Sequence, residues 1–278
     1  MIQNSAMLVE LNIGTWTGRK MDKKVSDEID ASKNTRAKGG NYHKKLLAGT
    51  QTLEDLQKLV SSVRTWHYEQ TLPWSDGGSR LLPMKNFFDY KTKLTELELQ
   101  FSNGVRDFLS EYDTSVTAAA FQLGELFNKE DYPESDKLAD KFKFNYVFMP
   151  VPTAGDFRID VNDIYQEELR QQYDNFYTTK LNDAMQEAWD RLHGCLSRIS
   201  EKLGGDDKQI FRDSLVTNAE DICELLTKLN VMNDPKLETA RKMLESALIG
   251  VTPKGLRQEE DTRAHVKAKV DEILGMFN

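Results

Sequence analysis

Apolar residues recur along this chain with two different periods, and the switches between them mark out the elements. Residues Met7 to Ile13 alternate, with Met7, Val9, Leu11 and Ile13 on one side and Leu8, Glu10 and Asn12 on the other, which predicts a strand. From Thr52 the period becomes helical: Leu53, Leu56, Leu59, Val60, Val63 and Trp66 share a face until Pro73, and Thr52 with Asp55 resembles a capping box at the start. LPWSDGGSRLLP then reads as a proline-closed connector, because Gly77 and Gly78 lack the GK[ST] that a phosphate-wrapping loop needs.

Two longer seams follow. Leu94, Leu97, Phe101, Val105, Phe108, Tyr112, Val116, Ala119 and Leu123 are separated by steps of three and four, and so are Tyr177, Leu181, Ala184, Ala188, Leu192, Cys195, Ile199 and Leu203. An eleven-residue repeat of this kind stays close to the natural helical period and keeps its seam on one face. Each helix should be about 40 residues and about 60 Å long. Gly104 within the first would permit close packing or a bend, and Gly204 and Gly205 end the second.

Between the seams, Phe142, Phe144, Tyr146 and Phe148 alternate with Lys143, Asn145 and Val147, and Phe157, Ile159 and Val161 with Arg158 and Asp160, predicting two strands joined by a Pro and Gly turn. A two-stranded hairpin is marginal alone, so the strand at Met7 to Ile13 should pair with the Phe142 to Pro150 strand. Three shorter helices are expected after Gly205: Lys208 to Asn230, Pro235 to Ile249 with Asp234 as N-cap and Pro235 in its first turn, and Gln258 to Phe277. The predicted fold is mainly α within the α+β class. A long antiparallel, coiled-coil-like helical hairpin carries a small antiparallel β-sheet at its tip, and a C-terminal helical bundle follows. The predicted domains are 1–205 and 206–278.

Charge changes this picture at one place. The chain carries a net charge of −8, which argues against a uniformly basic nucleic-acid cradle. Yet the stretch from Arg19 to Lys45 is +5, leaving −13 for the remainder. The overlapping segment Gly14 to Gly40 is basic, polar and glycine-bounded and reads as a loop or a loosely held helix. The cations Arg19, Lys20, Lys23, Lys24, Arg36, Lys38, Lys44 and Lys45, with the aromatics Trp16 and Tyr42, are the residue types that bind a nucleic-acid backbone. A merely solvated loop has the same composition.

Other chemistry is sparse. His43, His67, His193 and His265 lack neighbouring ligands at metal spacing, and no Walker loop, GxSxG or dinucleotide fingerprint occurs. Cys195 and Cys223 fall in helical interiors and read as small core residues. Asp156, Arg158 and Asp160 alternate with apolar residues as the wet face of a half-buried strand. No catalytic, metal or cofactor residues are expected. With neither a leader at MIQNSAMLVELNIG nor a membrane-length apolar run, the expectation is a cytoplasmic protein without a membrane partner.

At LNIGTWTGRKMDKKVSDEI and YPESDKLADKFKFNYVFMPVPTAGDFRIDV the chain resembles a family of uncharacterised proteins of tailed phages and integrative elements. That resemblance implies a gene setting beside a MoxR-type AAA+ ATPase, a von Willebrand A-type protein and recombination or replication genes. It transfers no catalytic residues. The expected function is therefore a non-enzymatic interaction or adaptor protein in DNA metabolism, in the host cytoplasm, partnered by such an ATPase and able to self-associate through its long helices. The alternatives are nucleic-acid binding through residues 19–45 and a structural role in virion assembly.

Overall fold

The computed structural model describes residues 5–152, 163–204 and 214–277. The chain is mainly helical with small β elements, an α+β arrangement as expected. It divides into two compact units, each drawn from discontinuous stretches: 1–10, 67–90 and 147–278 form one, and 11–66 with 91–146 form the other. A cut at residue 205 does not separate them. The reason is packing, since the helices after that point bury their apolar faces on the helix before it.

The strands are β1 (Ala6–Gly14), β2 (Arg19–Asp22), β3 (Tyr42–Lys45), β4 (Leu72–Pro73), β5 (Arg80–Pro83) and β6 (Lys143–Met149). The longer helices are α1 (Lys23–Ser32), α2 (Gln51–Gln70), α3 (Phe87–Leu123), α5 (Asp163–Leu203), α6 (Ser214–Leu229), α7 (Pro235–Leu248) and α9 (Glu260–Leu274), and the short α4 (Ser135–Ala139) and α8 (Pro253–Gln258) lie between them. β1 neighbours β6, as the alternation predicts, within a four-stranded sheet of order β4-β5-β1-β6. The strand expected over Phe157 to Val161, and with it Asp156, Arg158 and Asp160, lies outside the described residues.

The expected connector LPWSDGGSRLLP is itself a hairpin. β4 pairs antiparallel with β5 through Leu72 opposite Leu81, and β5 pairs antiparallel with β1, Leu8 facing Leu81. Its turn closes through Ser75 N donating to Ser79 O at 3.1 Å, and Gly78 there adopts φ +101°, which a side chain would strain. The strands are illegible in the sequence because the apolar part of β5 is the unbroken run Leu81, Leu82 and Pro83, with no alternation; Leu81 and Leu82 are both fully buried.

In the second unit the α3 seam packs on α2. Leu97 and Phe101 share a core with Leu56, Val60, Val63 and Ile13, while Phe108, Tyr112 and Ala119 join Trp16, Leu46 and Leu53. At Gly104 an added Cβ would stand 3.2 Å from Leu56 Cδ1, so the missing side chain lets the helices approach. The capping box does not form: α2 begins one residue earlier, Asp55 accepts from Gln51 Nε2 at 2.5 Å, and the buried Thr52 hydroxyl has no hydrogen-bond partner.

In the first unit the α5 seam, from Leu181 through Leu203, forms one core with α6, α7, α8 and α9. The two long seams are therefore right as faces, and each is covered within its own unit, that of α3 by α2 and that of α5 by α6–α9. Asp234 caps α7 as predicted, accepting from Lys236 N at 2.9 Å, with Pro235 in the first turn. Both cysteines belong to the core, and burial pushes the thiols up, Cys195 to about 11 and Cys223 to about 12.

Candidate functional site

The basic stretch is a folded module. β2 and β3 pair antiparallel, with Arg19 opposite Lys45, Lys20 opposite Lys44, Met21 opposite His43 and Asp22 opposite Tyr42. α1 is inserted between them. Asp22 starts it as N-cap, its carboxylate accepting from Val25 N at 3.2 Å. The buried Ser26 hydroxyl donates to Asp22 O at 2.6 Å and accepts from Tyr42 N at 2.9 Å, tying helix to ribbon. Asp30 accepts from Gly39 N at 3.1 Å and holds the return segment. Of the two expectations, a loop or a loosely held helix, the structure has a helix, α1, and adds the β2–β3 ribbon; the contacts that hold them come from short polar side chains, which carry no apolar periodicity.

Strand alternation then sorts the cations. Arg19, Met21, His43 and Lys45 share the outer face of the ribbon and are all exposed. Lys44 faces inward, is 5 % exposed, and forms ion pairs with Asp131 at 2.9 Å and Asp22 at 3.1 Å. Its ammonium also donates to Leu126 O at 2.7 Å. Burial disfavours the ammonium, but the hydrogen bonds to Asp131 and Asp22 outweigh it and hold the Lys44 pKa above its ordinary value. Asp22 is held below the usual carboxylate value by the Val25 amide first and Lys44 second. Nearby, Tyr132 Oη donates to Leu46 O at 2.7 Å, and Tyr112 Oη donates to Pro133 O at 2.8 Å. Lys44 is thus an internal anchor, unavailable to a ligand.

The other predicted cations, and Lys33 in the same stretch, are presented to solvent. Arg19, Lys20, Lys23, Lys33, Arg36, Lys38 and Lys45 are exposed, with no ion pair or side-chain hydrogen bond among the described residues. Lys24 has one, to Glu28 at 3.9 Å. Directly opposed like charges destabilise a strand pair, yet Arg19 faces Lys45 uncompensated. The first turn of α1 likewise holds Lys23 and Lys24 and no acid, at the end where the helix dipole is already positive. The predicted aromatics are not part of this surface. Trp16 is buried, its ring 6.2 Å from Phe108 and 5.9 Å from Tyr112, and Tyr42 is half-buried on the inner face.

A second polar cluster, in the first unit, had no sequence signal. Arg191 donates to Glu69 O at 2.6 Å, Tyr68 O at 2.8 Å and Thr71 O at 3.0 Å, so a guanidinium closes the C-terminal end of α2. Arg80 donates to the Thr71 hydroxyl at 2.7 Å and lies 4.5 Å from the Tyr68 ring centroid. Beneath them His67 Nδ1 and the Tyr90 hydroxyl share a 2.7 Å hydrogen bond. Burial, with a smaller effect from Arg80, pulls His67 down to about 4, and burial raises Tyr90. Both are neutral at pH 7. This cluster serves the helix end, whose orphan carbonyls need donors.

Among the described residues no group of three or more His, Cys, Asp or Glu side chains is placed to hold a metal ion. Nor, among the described residues, is any helix long and apolar enough to cross a membrane. No curated protein and no solved structure matches the chain. Residues 3–266 match the family described as protein of unknown function (DUF3150), which spans both units, and the chain belongs to that family.

Proposed function

We propose that this is a non-enzymatic interaction protein of phage or mobile-element DNA metabolism that engages nucleic acid through the module of residues 19–45. The observation that carries the reading is the set of seven unpaired, exposed cations on a module held rigid by the buried Lys44. Elsewhere many lysines and arginines sit in i,i+3 or i,i+4 ion pairs, as Lys58, Lys93 and Lys269 do. One feature of the module, the direct opposition of Arg19 and Lys45, costs stability unless an anion joins them. Phosphates supply that anion.

The test is fluorescence anisotropy of labelled nucleic acid against the full chain over a salt series. Binding should be independent of sequence and fall steeply with salt, since each neutralised phosphate releases counterions. Replacing Arg19, Lys20, Lys23 and Lys24 with Glu should abolish it while far-UV circular dichroism stays unchanged. Binding that survives the replacement would overturn the reading.

The adaptor role, with a MoxR-type AAA+ ATPase as partner, rests on the resemblance of the two blocks quoted above. On that reading the chain would carry the ATPase to nucleic acid. A pull-down with a purified ATPase of this type tests it separately.

A further inference from the structure

If the basic module is a nucleic-acid contact, its surface also bears on which form it takes. Proteins that hold single strands combine cations with aromatic rings on which successive bases stack. Here Trp16 is packed in the core between Phe108 and Tyr112, and Tyr42 lies on the inner face beside Asp22. The outer face of the ribbon offers Arg19, Met21, His43 and Lys45. His43 is its one ring, and Nδ1 of that ring is 3.3 Å from Asn41 O. What remains is charge on a fixed frame.

A fixed array of cations gains most from a dense, fixed array of phosphates. The duplex presents one negative charge per about 1.7 Å of axis, against about 3.4 Å along one strand. An antiparallel two-stranded ribbon is also of a width that the major groove admits. The frame is fixed by the register of β2 and β3 and by Lys44, which joins the ribbon to Asp131 and Leu126. We infer that the outer face of the β2–β3 ribbon, formed by Arg19, Met21, His43 and Lys45, is a contact for double-stranded DNA in preference to single-stranded DNA. The recognition is of backbone charge and shape rather than of base sequence.

The experiment rests on the proposed nucleic-acid reading and separates the two failures. Anisotropy is measured at one salt concentration with a mixed-sequence duplex of about two helical turns and with each of its strands alone. The duplex should bind roughly tenfold tighter or better. Met21→Asp places an acid on the outer face without removing a cation. It should weaken duplex binding roughly tenfold and single-strand binding much less. His43→Asp serves in its place should that variant misfold, with hydrogen exchange of residues 19–46 as the check. Equal or tighter single-strand binding overturns the inference and leaves the wider reading standing. A wild-type chain that binds neither probe sinks both.

Discussion

Substituting Lys44 by Met should loosen the basic module, whereas substituting its neighbour Lys45 by Met should not. The two lysines are adjacent, yet Lys44 is 5 % exposed and Lys45 is on the outer face. Removing Lys44 strands Asp131 and Asp22, which lie 2.9 and 3.1 Å from its ammonium, and takes the donor from Leu126 O. Breaking a buried ion pair by deleting one partner costs about 3–5 kcal/mol. Water still reaches these carboxylates, whose side chains are 16 % and 13 % exposed, so the expected loss for Lys44→Met is lower, about 2–3 kcal/mol. Lys45→Met instead removes the like-charge opposition with Arg19 and should be neutral or stabilising by a few tenths to about 1 kcal/mol.

The readout is hydrogen exchange, because the module can open without the rest of the chain. Exchange of the amides of Val25, Tyr42 and Leu46, each donating within the module, should accelerate roughly 30- to 150-fold in Lys44→Met, the factor to which about 2–3 kcal/mol corresponds. In Lys45→Met it should be unchanged or slowed by no more than about fivefold. Equal exchange in the two variants would refute the assignment of Lys44 as anchor. The same anchor sets a pH dependence. The Lys44 contribution is fully present below the ordinary lysine pKa and is lost as pH rises through its raised folded value. The Asp22 contribution is present above the ordinary aspartate value and is lost as pH falls through its lowered one.

His67 supplies a second window. Its folded pKa of about 4 lies below the ordinary 6.5, so between those values the unfolded chain takes up a proton that the folded chain refuses. Urea denaturation should show about 2 kcal/mol less stability at pH 5 than at pH 7 from this group, and His67→Asn should flatten that slope; a slope unchanged in the variant would count against it. Asp234→Ala should cost about 1–2 kcal/mol by thermal melting, since its carboxylate accepts from Lys236 N and Leu237 N and also from Trp189 Nε1 at 3.0 Å. Asp234→Asn should recover most of that loss, and a wild-type melt for the Ala variant would contradict the cap.

The seams of α3 and α5 were legible because an apolar stripe at helical spacing must be buried somewhere, and both are. Their partners were not legible. Period says which face goes inward, not what covers it, and α2 and α6–α9 carry stripes as good as those of the long helices. The sheet shows the same division. β1 and β6 alternate and were found, along with their pairing, while β4 and β5 are two and four residues long, too short for a period to show. The closure of α2 by Arg191 spans 122 residues of sequence to Glu69, and nothing local to either residue announces it.

The candidate site failed differently, because its deciding signal was present and outweighed. Nine basic residues counted together give a charge, and a count treats Lys44 and Lys45 alike. Parity does not. Tyr42, Lys44 and Leu46 fall on one side of an extended segment and His43 and Lys45 on the other, and Leu46 is a core residue of 2 % exposure. Followed back from Leu46, the period of two places Lys44 inward and demands an acid to meet it. Asp22, opposite Tyr42 on the paired strand, is one such acid, within 22 residues. Asp131 is the other, and only the tertiary fold brings it there. Lys44, which shares its side of β3 with Leu46, belongs to the frame of the basic surface, whereas Lys45 on the other side of the same strand is open to a phosphate.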